Sequence, residues 1–300
     1  MLDRLGVQHK LFLKGVDWLI HAHNTHLSRR NKLLGSYAKY LLQQLDAFDA
    51  IIVADHLRVF HDDVDFEPIR TLKKPIAHYD VFFIGGSSHW LSRLPNDAEE
   101  KFDLYFTVSG INDDLVTPKK PVYTIGMDCL PHYQLDEEKP YFALLDFPRS
   151  DYEDHRDLQK RILEKLGIKY FELTGEFTFK DIEKIYSKAA AYFLSFPESF
   201  GFPIVQNQMY GAHVFSPSPT WVKRHTLAPD GTSFLNQVNP IFSDNFLFYS
   251  EDTLERVIVD TISRYSPNAV RNTLLSTQPQ FCTGNLAALW SGLTTLLQNG

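Results

Sequence analysis

Leu194-Ser195-Phe196-Pro197-Glu198-Ser199-Phe200-Gly201-Phe202-Pro203-Ile204-Val205-Gln206-Asn207-Gln208-Met209-Tyr210-Gly211-Ala212-His213-Val214-Phe215-Ser216 is the stretch on which the fold turns. Its first residues end an apolar run, Ala191-Tyr192-Phe193-Leu194-Ser195, that suits a buried strand. Pro203 stands where a helix starts, because its fixed φ and missing N–H fit a first helical turn. Gly211 stands where that helix stops and a new strand begins. Strand, loop, helix, strand is the repeat from which parallel sheets are built. Glu198 precedes the helix and Gln206 lies in its first turns, so both can face one place. The helix N-terminus offers unpaired N–H groups and a positive dipole end, which suit a diphosphate. Gly201 lets the backbone approach a ligand with no Cβ in the way.

The same alternation runs through the rest of the chain. Asp17 to His23 predicts a strand, and Leu33, Leu34, Tyr37, Leu41, Leu42 and Leu45 fall at helical spacing between Arg30 and Leu45. Asp49 to Asp55, Lys74 to Ile84, Leu104 to Val108 and Val122 to Ile125 are further strand candidates. The last three run into Gly85-Gly86-Ser87-Ser88, Ser109-Gly110 and Gly126-Met127-Asp128, loops that would line a cleft at the carboxyl ends of the strands. Leu130 to Pro140 turns polar and acidic and reads as a linker. Beyond it, strands at Tyr141 to Leu145 and Tyr170 to Leu173 lead into helices over about 153–166 and 179–190. The expected fold is α/β, with two Rossmann-like parallel-sheet domains facing across a cleft. Residues 1–133 form the acceptor-side domain, residues 138–285 the nucleotide-sugar domain, and 286–300 a helix returning to the first.

Composition narrows the function. The chain has 300 residues, 44% hydrophobic and 22% charged, as expected of a globular protein with a substantial core. Its net charge of −7 disfavours bulk nucleic-acid binding. Cys129 and Cys282 are the only cysteines, too few and too far apart for a disulfide framework or a thiolate zinc site, and they suit a reducing compartment. No apolar run reaches the length of a membrane span and the first residues do not read as a signal peptide, so a cytoplasmic location is expected, with peripheral membrane contact left open. The fingerprints of P-loop, dinucleotide-binding and α/β-hydrolase enzymes are absent.

The segment around Glu198 resembles the C-terminal signature of GT-B glycosyltransferases, especially the retaining family 4 type, whose pattern runs E-G-F-G-L-P-x-x-E-A-M-A-x-G-x-P-V. Glu198 matches the first acid, Phe200-Gly201-Phe202-Pro203 the F-G-L-P core, and Gly211 the helix-ending glycine. Phe102 to Ser109 and Val122 to Asp128 resemble the family's strands in the N-terminal half more loosely. The resemblance implies transfer of a sugar from a nucleotide-sugar donor to a glycan, lipid-linked sugar, protein or small-molecule acceptor, with retained configuration. It implies no cofactor and no metal, closure of the lobes to exclude water, and an abbreviated N-terminal lobe. Glu198 would contact the donor sugar, with Ser199, Phe200, Gly201 and Phe202 around the donor. Gln206 replaces the acid that usually holds the ribose, and its amide can still accept and donate. That replacement also motivates an alternative, a catalytically inactive glycosyltransferase-like subunit acting as a partner or scaffold. The basic residue that neutralises the leaving diphosphate is Arg149, or second Lys160, although the family's G-R-x-x-x-x-K-G pattern is not clean here. A solvated helix face shared with Arg156 and Arg161 is the plainer reading of Lys160. On the N-terminal side, His78 and Asp80 are the catalytic candidates, with Asp55-His56 as another position.

His21, His23 and His26 follow the first strand candidate, but no acid completes a metal ligand set near them. Ser28-Arg29-Arg30-Asn31-Lys32 is either a patch for an anionic acceptor or lipid headgroups or a solvated helix end. The aromatic share of 14% fits an oligomer interface as well as a core.

Overall fold

The computed structural model describes residues 1–9, 44–54, 67–80, 98–108, 118–196, 201–217 and 244–298. The strand candidate at 17–23, nearly all of the helix candidate at 30–45, and the loops at 55–56 and 85–88 lie outside these residues. Clustering of contacts divides the chain into two compact units, Met1–Ile125 with Leu286–Gly300, and Gly126–Asn285.

The first unit carries β1 (Ile51–Ala54), β2 (Ile76–Asp80), β3 (Leu104–Thr107) and β4 (Val122–Thr124), a parallel sheet in that order. β3 is buried throughout and β2 nearly so, as expected of parallel strands covered on both faces. The short α1 (Glu67–Arg70) precedes β2. The core of this unit joins Ala77, Leu104, Phe106 and Ile125 to Leu289, Leu293 and Leu296 from the far end of the chain. Those leucines lie on the helix Leu286–Gln298, whose Gly292 meets the Phe106 ring so closely that a Cβ there would collide with it.

The second unit holds a five-stranded parallel sheet in the order β6-β5-β7-β8-β9, made of β5 (Ala143–Leu145), β6 (Tyr170–Glu172), β7 (Ala191–Phe193), β8 (His213–Pro217) and β9 (Phe246–Tyr249). Its connecting helices are α2 (Glu153–Lys165), α3 (Phe179–Tyr186), α4 (Phe202–Met209), α5 (Leu254–Ile262), α6 (Pro267–Thr277) and α7 (Pro279–Cys282), and the helix Leu286–Gln298 is α8. Leu145, Phe193, Phe215 and Tyr249 from the strands pack against Leu158 and Leu163 of α2 and Leu254 and Ile258 of α5. Thr178 caps α3 by accepting the Asp181 N–H, and Ser266 caps α6 by accepting that of Ala269.

The polar stretch before β5 belongs to this second unit. Met127 donates to the Gln280 carbonyl at 3.0 Å and Cys129 to the Cys282 carbonyl at 2.9 Å, which ties the segment to α7. Both cysteines are buried, and burial pushes both thiols up, that of Cys282 to about 12. They are thiols rather than thiolates at neutral pH and so poorly reactive.

Candidate functional site

The order of the second sheet puts β5, its first strand in sequence, between β6 and β7. The chain leaves β5 toward one edge through α2 and leaves β7 toward the other through α4. The crevice at such a reversal, outside the carboxyl ends of the two strands, is where open α/β sheets bind ligands. The segments that part here are 146–149 after β5 and 194–196 after β7, with Gly201 at the start of the helix that follows.

α4 runs from Phe202, with Gly201 as its N-cap and Pro203 in its first turn. The cap has no side-chain hydrogen bond. Ile204 N–H turns back to the Gly201 carbonyl at 3.1 Å and Val205 N–H at 3.4 Å, while Pro203 has no N–H. The N–H of Phe202 therefore remains as the free donor of this turn among the described residues. Gln206 is 6% exposed, and its side-chain amide has no hydrogen-bond partner among the described residues. The next residue differs: Asn207 donates to the Pro203 carbonyl at 2.9 Å and is completely buried. Gly211 ends the helix at φ +79°, packed so tightly that a Cβ would lie 2.7 Å from Pro267 Cα. Glu198, Ser199 and Phe200 lie outside the described residues.

Across the reversal, Arg149 is exposed and its guanidinium carbon sits 3.4 Å above the centre of the Phe196 ring. This cation–π contact links the loop after β5 to the loop after β7 and keeps a positive charge at the sheet's carboxyl edge. Tyr152 lies beside Phe196 and stacks on His155, whose Nδ1 is 2.9 Å from the Ser195 carbonyl.

Beneath these loops runs a buried polar network. Asp146, the residue after β5, pairs with Arg156 of α2, and its other oxygen accepts the Ser195 N–H at 3.1 Å. Arg156 also donates to Gln159 at 3.0 Å and lies 3.4 Å from Glu172 at the end of β6. Gln159 donates to the Leu194 carbonyl at 2.7 Å and lies 2.6 Å from the Tyr249 hydroxyl. The ends of β5, β6, β7 and β9 are thus held by one set of bonds. Burial lowers the Arg156 guanidinium and Glu172 opposes it. Lys160 meets Glu172 at 2.6 Å, so its charge is already balanced. Arg156, grouped by sequence with a solvated face, is 4% exposed and is the centre of this network.

In the first unit, β2 places His78 in mid-strand, 1% exposed, with its ring centre 4.9 Å from that of Phe102 and 5.8 Å from that of Tyr105. Asp80 closes the same strand, and its carbonyl accepts the Val108 N–H at 3.0 Å. Among the described residues no group of three or more His, Cys, Asp or Glu side chains is arranged to hold a metal ion, and no helix is long and apolar enough to cross a membrane.

Neither a protein-family model nor a curated protein matches the sequence. Solved structures do match. The UDP-GlcNAc 2-epimerase of Neisseria meningitidis, bound to UDP-GlcNAc, aligns over 99% of this chain and 87% of its own with a TM-score of 0.52 at 10% identity. The fold is shared. A glycosyltransferase from Rickettsia africae ESF-5 aligns over 100% of this chain and 87% of its own, with a TM-score of 0.47 and 12% identity. The spinosyn rhamnosyltransferase SpnG aligns over 86% and 76%, with a TM-score of 0.44 and 8% identity. The assignment of the fold rests on the epimerase. The chain is an α/β protein with two parallel sheets, of the GT-B class.

Proposed function

We propose that the chain is a glycosyltransferase that moves a sugar from a nucleotide-sugar donor to an acceptor, with retention of configuration and without a metal or cofactor. The observation that carries this reading is the strand reversal in the second sheet, where the loop bearing Arg149 parts from the loop that starts α4. In this reading Arg149 takes up the charge that develops on the diphosphate as the glycosidic bond breaks. The free N–H of Phe202 meets a phosphate oxygen, and the Gln206 amide takes the ribose hydroxyls. Glu198, with Ser199, Phe200 and Gly201 around it, contacts the donor sugar. Lys160 is left out of donor binding because Glu172 already holds it. Asp80, at the carboxyl end of β2, is the acceptor-side candidate ahead of His78, whose ring is enclosed. The acceptor is a glycan, a lipid-linked sugar, a protein or a small molecule.

The test is a thermal-shift panel of UDP-, GDP-, ADP- and CMP-sugars, headed by UDP-GlcNAc because the epimerase of the same fold holds it. A donor that binds only the folded state raises the melting temperature by mass action. One donor should shift the transition and release its nucleotide slowly, and Glu198→Ala should stop that release without lowering the melting temperature. No shift with any donor at saturating concentration refutes the proposal.

A further inference from the structure

The second unit holds a polar cluster that the donor reading leaves unused. Glu183 of α3 is 3% exposed. Its Oε1 accepts from the Tyr210 hydroxyl at 2.6 Å and from the His132 backbone N–H at 3.1 Å, and Nδ1 of His132 lies 3.0 Å from both carboxylate oxygens. Burial pushes the Glu183 carboxyl up, but the bonds from Tyr210 and His132 outweigh it and hold the group below the ordinary carboxylate range. An ionised carboxylate only accepts, so Nδ1 carries the proton shared with Glu183, and Nε2 is left on the other side of the ring. The imidazole is 72% exposed although the acid that fixes it is buried. The result is a ring held on one side by a buried acid and open to solvent on the other.

Phe179 stands beside it, and Phe202 stands beside Phe179. The Phe179 ring centre is 6.3 Å from that of His132, edge to face, and 6.5 Å from that of Phe202. Phe179 is 54% exposed and Phe202, the first residue of α4, is 40% exposed. A pyranose has an apolar C–H face and a rim of hydroxyl donors. It therefore matches a surface that offers aromatic rings next to one oriented imidazole nitrogen, which a hydroxyl can meet as donor or acceptor.

We propose that His132, Phe179 and Phe202 form a pyranose-binding subsite in which Nε2 of His132 shares a hydrogen bond with a sugar hydroxyl. Glu183 and Tyr210 are positioning residues that fix the imidazole. The choice of a sugar as ligand rests on the sugar-transfer reading, and the pyranose belongs either to the donor or to the acceptor.

The test follows the imidazole nitrogens of the whole chain by NMR during titration with the methyl pyranosides of glucose, galactose, mannose and N-acetylglucosamine. At least one glycoside should shift Nε2 of His132 saturably. Loss of one hydrogen bond should weaken that glycoside about two- to tenfold in His132→Ala, and His132→Gln, whose amide can accept or donate, should restore part of the loss. Phe179→Ala should weaken it as well. No shift across the titration, or a glycoside affinity unchanged in His132→Ala while the melting temperature falls, overturns the proposal, because a merely structural staple behaves in that way. Displacement of the glycoside by a nucleotide-sugar but not by its nucleoside diphosphate assigns the subsite to the donor, and simultaneous binding assigns it to the acceptor. The two readings fail separately. Glycoside binding without any nucleotide-sugar shift refutes transfer and leaves the subsite standing, whereas nucleotide-sugar turnover that is unaltered in His132→Ala refutes the subsite alone.

Discussion

Replacing Arg156 by Met tests whether the buried network, rather than the strands alone, holds the carboxyl edge of the second sheet. The Arg156 and Asp146 side chains are 5% and 4% exposed, so neither charge is paired with water. Met has a similar reach and fills the space, but it leaves the Asp146 carboxylate with only the Ser195 N–H and hydroxyl, at 3.1 and 3.4 Å. Breaking a buried pair in this way costs about 3–5 kcal/mol, a large share of the roughly 5–15 kcal/mol that holds a domain together. At about 2–4 °C per kcal/mol for a domain of this size, the melting temperature should fall by about 6–20 °C. Asp146→Asn removes the stranded charge and still accepts from Ser195. The double variant Asp146→Asn/Arg156→Met should therefore be more stable than Arg156→Met alone, and its cost should differ from the sum of the two single costs by about 0.5–3 kcal/mol. Urea titrations followed by circular dichroism, run on both single variants and the double, give the cycle. A cost below about 1 kcal/mol for Arg156→Met, the range of an exposed pair, would refute the reasoning, as would a double variant less stable than the single.

Three further outcomes are expected. Gly211→Ala should lower the melting temperature more than an ordinary surface change, because φ is +79° and the new Cβ would meet Pro267; a transition within a degree of the wild type would contradict this. His213 is pulled down to about 4, by burial first and then by Arg264, and its Nδ1 is buried without a partner. The unfolded chain binds this proton below about 6.5 and the folded chain only below about 4, so stability is lost as pH falls from 6.5 to 4, up to about 3 kcal/mol. His213→Phe should flatten that slope in pH-dependent melting, and an unchanged slope would assign acid sensitivity elsewhere. Gln206→Glu should alter the affinity for the productive nucleotide-sugar, read from the thermal shift, and an identical shift would remove Gln206 from the ribose site.

Elements whose signals are local were legible in the sequence. β3, β5 and β7 lie within the apolar runs that predicted them, because strands covered on both faces read as unbroken hydrophobic stretches; β4 and β6 lie within theirs although they are only partly buried. The limits of α4 follow from Pro203 and Gly211, one favouring a helix start and the other tolerating a left-handed stop. β9 and α5 also carry signals in the sequence, Phe246 to Tyr249 and the spacing of Leu254, Ile258 and Thr261, and Ser266-Pro267 marks the start of α6. The chemistry of the site was harder to see. Asp146 and Arg156 are ten residues apart, and although a helical wheel puts Arg156 on the face of Gln159 and Leu163 and well away from the exposed Arg161, their pairing depends on how α2 packs on the sheet. Glu183 and His132 are 51 positions apart. No spacing rule joins a loop residue to a helix that distant. His78 shows the reverse problem: a titratable residue in a strand reads as a candidate, but burial among aromatic rings is decided by both faces of the sheet.

Helix α8 sets the order in which this protein can be made. The leucines that complete the first unit's core, Leu289, Leu293 and Leu296, are joined to its strands only through packing, since some 160 residues of the other unit are threaded between β4 and α8. A ribosome delivers the described strands of the first sheet early and helix α8 only after the whole second unit. The second unit, continuous in the chain, can close while translation is still under way. The earlier-made unit must wait with Phe106 and its neighbours uncovered, and any nascent chain stopped before residue 286 carries that apolar face as a target for chaperones.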